Sequence, residues 1–410
     1  MIKRVKRLKI LLFTAGFPPP FVGGSVEYIY NLVSNMPAES MIIHTSNMFS
    51  KGAKKSDKSF DQKVRRSFFI NHVQRHLVNE GEKTSRIIQK LQNLREYIFW
   101  PFFGFWLVLC ERPNVIQIGE HNIAGVSALL ARWILGIPYV YFTYAEEVTM
   151  LSKRPLHNRL FLALLRNSSM IISVCDYTRN LLLGKGINPD SIITILPAVS
   201  NRKSHMISHE EKEKIRNKYD LINCKVLLTV GSLEERKGHS SVIRSLIEIK
   251  KSFPDIKYII VGEGPKEEEL KNLSVELGLL RQIIFTGGVN DDELNCLYEI
   301  CDLFVMPHRQ IKDSLNTEGC PTVFLEASAH GKAVVGGNAG GVADAIINGE
   351  TGYIVNGEDE QCLTNRIIEL LEDKSLAFKM GLAGRSYVST LTPQKNAEKV
   401  WEIYQKLCGG

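Results

Sequence analysis

The sequence predicts an α/β protein made of two open, parallel-sheet units in tandem, and three observations carry that expectation. Short, nearly continuous apolar runs alternate with amphipathic stretches along most of the chain, the pattern of strands covered on both faces by helices. The alternation stops at a polar stretch, Ser200–Glu213, and then starts again. The length of 410 residues suits two or three domains of roughly 150 residues each, and the balance of 44% hydrophobic and 23% charged residues is that of an ordinary globular protein.

In the first unit the predicted strands are KILLFTA (9–15), MIIHT (41–45), NVIQIG (114–119), YVYFTY (139–144), MIISVC (170–175) and IITIL (192–196). Helices are expected between them over Ser25–Met36, Ile123–Leu135 and Asp176–Leu183. In the second unit the strands are KVLLTVG (225–231), KYIIVG (257–262), IIFTG (283–287), LFVMP (303–307), KAVVGG (332–337) and GYIV (352–355), again with helices between. Two such units joined near residue 200 would set the C-terminal ends of both sheets on facing sides of a cleft, where ligands bind.

The composition excludes several classes. Eight Cys are scattered from Cys110 to Cys408 with no CxxC, so neither a zinc site nor a disulfide framework is indicated, and a cytoplasmic location is expected. The longest apolar run, Tyr97 to Cys110, would reach only about 21 Å as a helix, short of a bilayer core of about 30 Å. It also contains Pro101 and Gly104. The basic start imitates a signal peptide, but its apolar stretch Ile10–Ala15 is too short, and it reads as a buried first strand.

Net charge is +7, and between Lys51 and Arg95 twelve Lys/Arg stand against four Asp/Glu. That segment adjoins the aromatic run IFWPFFGFW and fits an anionic surface, either the inner face of a membrane or a polyanionic ligand. A solvated basic surface beside a core helix is the alternative. Nothing in the pattern points to nucleic acid.

Three segments carry chemistry. The first strand leads into GFPPPFVGGSVEYIYNL, where Gly23 and Gly24 precede a helix with Ser25 as its expected N-cap; the backbone can approach a ligand there, and a helix start offers N–H groups to an anion. After the strand 225–231, SLEERKGH places Arg236 and Lys237 at a strand-to-helix turn, where two cations can neutralise a departing diphosphate. In EGCPTVFLEASAHGKAVV, a helix is expected over Thr322–His330 behind Gly319, Cys320 and Pro321. Amides near Thr322 and Val323 can hold phosphate oxygens, and Glu326, one turn further in, can accept hydrogen bonds from ribose hydroxyls.

These motifs resemble the retaining GT-B glycosyltransferases, the group that includes glycogen synthase and bacterial mannosyl- and glucosyltransferases. The resemblance spans most of the chain and is densest from Leu227 to Val355. It rests on Gly23-Gly24, VGSLEERKGH, VGEGP (261–265), FTGGVNDDELNCLY (285–298), DLFVMPHR (302–309) and the Glu318–Glu326 pair with its EGxP start. It implies an acceptor-side Rossmann-like domain over 1–200, a nucleotide-sugar domain over 201–388, and a C-terminal helix within 389–410 that returns to the first domain.

By resemblance the donor is a UDP- or GDP-sugar, with no further cofactor. Lys237 and Arg236 would hold its diphosphate, Glu326 its ribose and Glu318 the region of its sugar. The amides of Gly319 to Val323 would hold phosphate and sugar, and Gly23 and Gly24 would approach the diphosphate. Two positions depart from the family pattern. Ser232 follows Gly231 where Arg is usual, which leaves the diphosphate to Lys237 and Arg236. Tyr144-Ala145-Glu146-Glu147 stands where the family has His-Gly-x-Asp/Glu.

Acceptor-side candidates are Glu120, His121, Tyr144 and Glu146, and the acceptor class implied is lipid-linked, polysaccharide or small sugar-bearing. The mechanism implied is same-face attack, in which the protein supplies positioning and charge stabilisation rather than a pair of carboxylates astride the bond. With no Asp-x-Asp in the sequence, no metal is expected. His44, His239, His308 and His330 lack ligand spacing and read as hydrogen-bonded structural residues. A non-catalytic partner subunit and a nucleotide-sugar epimerase or hydrolase of the same build are the alternatives. The intact Lys237, Glu318 and Glu326 favour the transferase.

Overall fold

A computed structural model describes residues 8–18, 23–46, 56–58, 60–67, 86–120, 124–149, 155–199, 207–311 and 317–409. The chain divides into two compact units, residues 1–196 with 393–410, and residues 197–392.

Unit 1 is built on a seven-stranded sheet ordered β3-β2-β1-β4-β5-β6-β7. Its strands are β1 (Ile10–Phe13), β2 (Met41–Ser46), β3 (Lys63–Ser67), β4 (Val115–Ile118), β5 (Tyr139–Thr143), β6 (Met170–Ser173) and β7 (Ile192–Thr194). All of the pairings are parallel. Strand direction of growth reverses between β1 and β4, so the crevice at the C-terminal ends of those two strands is where such a sheet takes ligands. The central strands are buried along their whole length because helices cover both faces, which is why they read as apolar runs.

β3 was not expected from the sequence. Its residues KVRRS have no apolar run, but an edge strand needs only one paired side, and charges on it discourage pairing with other chains. Lys63 and Arg65 pair with the buried carboxylate of Glu111 at 3.5 and 2.5 Å, and Lys9 joins them at 3.1 Å. Arg66 forks onto Asp57 and also donates to the carbonyls of Phe17 and Pro18. These three cations of the basic segment are therefore committed within the protein, whereas Lys51, Lys54, Lys55, Arg75 and Lys83 lie outside the described residues.

The aromatic run belongs to a 26-residue helix, Arg86–Glu111, that continues through Pro101. Gly104 lets the Ala124–Leu135 helix pack close, since a Cβ there would stand 2.3 Å from Ser127 Oγ. Trp100, Leu107 and Val108 face the core. On the other side Phe99, Phe102, Trp106 and Leu109 are exposed, Phe102 by 72%. Among the described residues no helix is long and apolar enough to cross a membrane. The Pro393–Leu407 helix packs in unit 1, where Asn396 donates to the Leu196 carbonyl and Tyr404 bonds to Gln117.

Unit 2 holds a six-stranded sheet ordered β10-β9-β8-β11-β12-β13. These are β8 (Val226–Val230), β9 (Lys257–Val261), β10 (Ile283–Gly287), β11 (Leu303–Met306), β12 (Ala333–Gly337) and β13 (Gly352–Val355). All pairings are again parallel, and growth reverses between β8 and β11. The polar stretch before β8 ends in a helix, His209–Lys218, opened by a reciprocal Ser208–Glu211 cap.

Candidate active site

In unit 2 the loops after β8 and β11 leave the sheet side by side at its switch point. The β8 loop closes in a 3₁₀ turn, Glu235–Lys237, and then passes through Gly238 with φ +76°. Only glycine fits there, because a Cβ would lie 2.1 Å from the Pro307 carbonyl oxygen. Arg309 N–H donates to the Arg236 carbonyl at 2.9 Å, which ties the two loops together.

Three of the predicted residues converge on one atom. Glu318 Oε2 accepts from Lys237 Nζ at 2.9 Å and from Arg236 Nη1. The Arg236 guanidinium is also held by Glu234 at 2.9 Å, and the Ser232 hydroxyl donates to that same carboxylate at 2.8 Å. Ser232, at the position where the resemblance would put Arg, thus supports the Arg236 guanidinium through Glu234. Lys237 is buried, and burial first, then the neighbouring Arg236 charge, pushes its ammonium down to about 7. The Glu318 backbone is fixed from below: Gly341 N–H donates to its carbonyl, and Gly340 (φ +61°) lies too close to it for any side chain.

Gly319 and Cys320 lead to Pro321, the N-cap of the Thr322–Ala329 helix, and no side chain caps that first turn. The N–H groups at Thr322 and Val323 therefore form an unblocked positive helix end. One turn on, Glu326 is buried and accepts a 3.0 Å hydrogen bond from Tyr298.

Two of the histidines read as hydrogen-bonded are so. His239 contacts the Ser232 carbonyl at 3.2 Å, and His330 bonds Glu299 at 3.0 Å while stacking on Tyr298. For His44 and His308 the structure corrects the expectation, since both are buried with no hydrogen-bond partner on either ring nitrogen among the described residues. His308 stands after β11, its Nε2 3.9 Å from Glu318 Oε2.

In unit 1 the corresponding crevice holds the other candidates. Gly23, not Ser25, is the N-cap of the Gly24–Ser34 helix; its φ of +87° suits glycine, and among the described residues a Cβ on either glycine would meet nothing within 4 Å. Glu120 Oε1 accepts from Ala15 N, Gly16 N and Thr14 Oγ1 at 2.6, 3.0 and 3.0 Å, so it fixes the turn that leaves β1. Burial nevertheless keeps its carboxyl above the usual range. Tyr144 OH donates to the Gly119 carbonyl at 2.8 Å, which joins the ends of β4 and β5. Glu146 is exposed at the start of the short Glu146–Thr149 helix. His121 lies outside the described residues.

The sequence reading missed Glu147. Its carboxylate accepts the Tyr144 N–H at 2.6 Å, and burial pushes it up to about 7. The signal was present, because Glu147 and not Glu146 occupies the fourth place of the tetrad where the resemblance has an acidic residue. Directly after Tyr144, Ala145 sits at φ +90°, a conformation that strains any residue with a side chain and falls where that pattern has glycine.

The family profile of glycosyl transferases group 1 matches residues 211–387. A GDP-mannose-dependent alpha-(1-6)-phosphatidylinositol monomannoside mannosyltransferase of Mycolicibacterium smegmatis is 31% identical over 280 residues, covering 66% of this chain and 73% of that protein. The chain belongs to the group 1 glycosyl transferases. An enzyme of the same name from Mycobacterium tuberculosis is 27% identical over 383 residues, 93% of this chain and 94% of its own. This group 1 glycosyl transferase also has the fold of Anabaena HepE, solved in complex with UDP. The TM-score is 0.74 at 18% identity, over 97% of this chain and 100% of that one. The fold is GT-B, the activity is glycosyl transfer, and the donor of a group 1 transferase of this fold is a nucleotide-sugar.

Proposed function

We propose that the chain is a retaining mannosyl transferase that moves mannose from GDP-mannose to a sugar or polyol borne on a lipid, without a metal ion. The observation that carries the reading is the convergence of Arg236 and Lys237 on Glu318 beside the unblocked start of the Thr322–Ala329 helix. Without donor the two cations are matched by Glu318 and Glu234, and a diphosphate, with two charges of its own, would take both of them from Glu318.

On this reading the diphosphate takes Arg236 and Lys237, and the amides from Gly319 to Val323 take its remaining oxygens. Glu326 accepts ribose hydroxyls, Glu318 faces the sugar, and Gly23 and Gly24 offer a second open helix start to an anion. The acceptor oxygen attacks C1 of the sugar on the face that the diphosphate leaves. The C1–O bond to phosphate breaks, the new C1–O bond forms, and the acceptor proton passes to the departing phosphate oxygen. Fixed positive charge at that oxygen is the main source of rate.

GDP-mannose is favoured by the names of the two mycobacterial relatives, both GDP-mannose-dependent and both acting on a phosphatidylinositol mannoside. A membrane surface is favoured by the exposed row Phe99, Phe102, Trp106 and Leu109, with Trp133 and Ile134 exposed on the helix packed against it. A row of this size on a helix that follows a basic segment suits the interface of an anionic bilayer. The test is thermal shift against a panel of nucleotide-sugars. GDP-mannose at a hundred times its Kd is expected to stabilise the protein by about 2.7 kcal/mol. A shift with UDP-sugars alone would reassign the donor, and no shift with any of them would refute the donor site.

A further inference from the structure

His308 is a buried polar group to which the donor reading gives no task. Its backbone is locked at the switch point: His308 N–H donates to the Met306 carbonyl at 2.9 Å, and a Cβ on Gly337 or Gly357 would lie 1.8 or 2.3 Å from the His308 carbonyl oxygen. The side chain is 2% exposed, and its ring packs on Phe324 with centroids 5.6 Å apart. Among the described residues neither ring nitrogen makes a hydrogen bond of good geometry, and the ring feels only a lesser pull from the Met306 carbonyl. An unsatisfied buried donor destabilises the fold, a cost that an apolar side chain in the same space would not incur.

The imidazole is aimed at the site. It lines a small cavity with Arg236, Arg309, Gln310, Thr317 and Glu318, and Nε2 lies 3.9 Å from Glu318 Oε2. That oxygen already accepts from both Arg236 and Lys237, so in the donor-free molecule a third donor has no place on it. A diphosphate competes for the same two cations. Once they turn to phosphate, Glu318 is left as a half-buried carboxylate without those partners, its Oε2 3.9 Å from His308 Nε2. Burial first, then the Lys237 and Arg236 charges, hold His308 neutral, so it brings a donor without adding a charge.

We infer that His308 is a positioning residue for Glu318: when the donor diphosphate engages Arg236 and Lys237, His308 Nε2–H donates to the Glu318 carboxylate and keeps it directed at the donor sugar. The inference rests on the donor reading above. Because the bond forms as the diphosphate binds, losing it weakens donor and GDP binding, and because it directs Glu318 at the sugar, its loss lowers turnover as well.

The test uses the full chain, GDP-mannose as donor and phosphatidylinositol-bearing vesicles as acceptor, with GDP affinity as the check of an intact site. His308→Leu is expected to lower kcat about tenfold or more and to raise GDP Kd severalfold, since the bond is made in the diphosphate-bound site. His308→Gln, whose amide N–H reaches roughly the place of Nε2, is expected to recover most of that loss, and His308→Asn, which is shorter, is not. Should the Leu variant fail to bind GDP, the contrast between Gln and Asn decides alone. Gln and Asn variants equally impaired, or a Leu variant with unchanged kcat, overturn the inference while wild type remains active. A wild-type chain that neither binds GDP nor transfers sugar overturns the donor reading, and this inference with it.

Discussion

Raising the pH should loosen the donor through Lys237. In the donor-free molecule this ammonium is pushed down to about 7, first by burial and then by Arg236. It is therefore about nine-tenths charged at pH 6 and about one-tenth charged at pH 8. A nucleotide-sugar diphosphate needs the charged form and has no group of its own titrating in that window. His239, lowered by burial to about 4, and His308, lowered well below its ordinary value by burial and the Lys237 and Arg236 charges, stay neutral throughout. Binding at pH 8 must then return about 0.9 of a proton to Lys237, and affinity should fall about tenfold from pH 6 to pH 8, roughly 1.4 kcal/mol. Titration calorimetry with GDP-mannose at pH 6, 7 and 8, in two buffers of different ionisation heat, reads both the Kd and the proton uptake. Lys237→Arg should abolish the uptake, since a guanidinium does not titrate there. A wild-type Kd flat across the range with no proton uptake would refute the reasoning, and would mean that Glu318 alone keeps Lys237 charged.

Ala145→Gly relieves the strain at φ +90° and should stabilise the protein by about 1 kcal/mol, visible as a higher melting temperature in calorimetry; a lower one would contradict the strain argument. His44 and His239 are both held near 4 against an ordinary 6.5, chiefly by burial. The unfolded chain therefore binds more protons as pH falls from 6.5 to 4, and each should remove about 3 kcal/mol of stability over that window. Urea melts at pH 7, 5 and 4 measure this, and His44→Phe should flatten part of the slope. At the membrane, Phe102→Ser with Trp106→Ser, or Lys54, Lys55 and Lys58→Gln, should each release the protein from acidic vesicles in co-sedimentation, and high salt should act like the charge variants. Arg65 and Arg66 are left in place because they pair with Glu111 and Asp57. Binding unchanged by both sets would return this face to ordinary surface.

Strands such as β8 and β11 were legible because burial on both faces leaves a run of apolar residues. β3 was illegible for the opposite reason: its order comes from backbone pairing with β2 and from ion pairs to Glu111, more than forty residues away in sequence. The Arg86–Glu111 helix was only half read, since Pro101 interrupts a pattern without interrupting the helix. Within the site, Arg236, Lys237 and Glu318 could be chosen by residue type beside a turn and a helix start. Their meeting on one carboxylate oxygen could not, because it depends on how the loops after β8 and β11 cross. His308 was expected to be hydrogen-bonded, and nothing in MPHR tells that the imidazole would be buried without a well-formed bond among the described residues. Glu120 was legible as a carboxylate at a strand end. Its three bonds to the β1 turn follow only from the β1–β4 pairing.

The most direct test of the account is the product itself. Wild-type protein is incubated with GDP-mannose and phosphatidylinositol-bearing vesicles in the presence of EDTA, and the anomeric configuration of the transferred sugar is read by proton NMR. The account predicts a lipid-borne mannoside with the configuration of the donor, formed at an undiminished rate without metal and lost in Lys237→Ala. An inverted linkage, a rate abolished by EDTA, or free mannose as the sole product would contradict it.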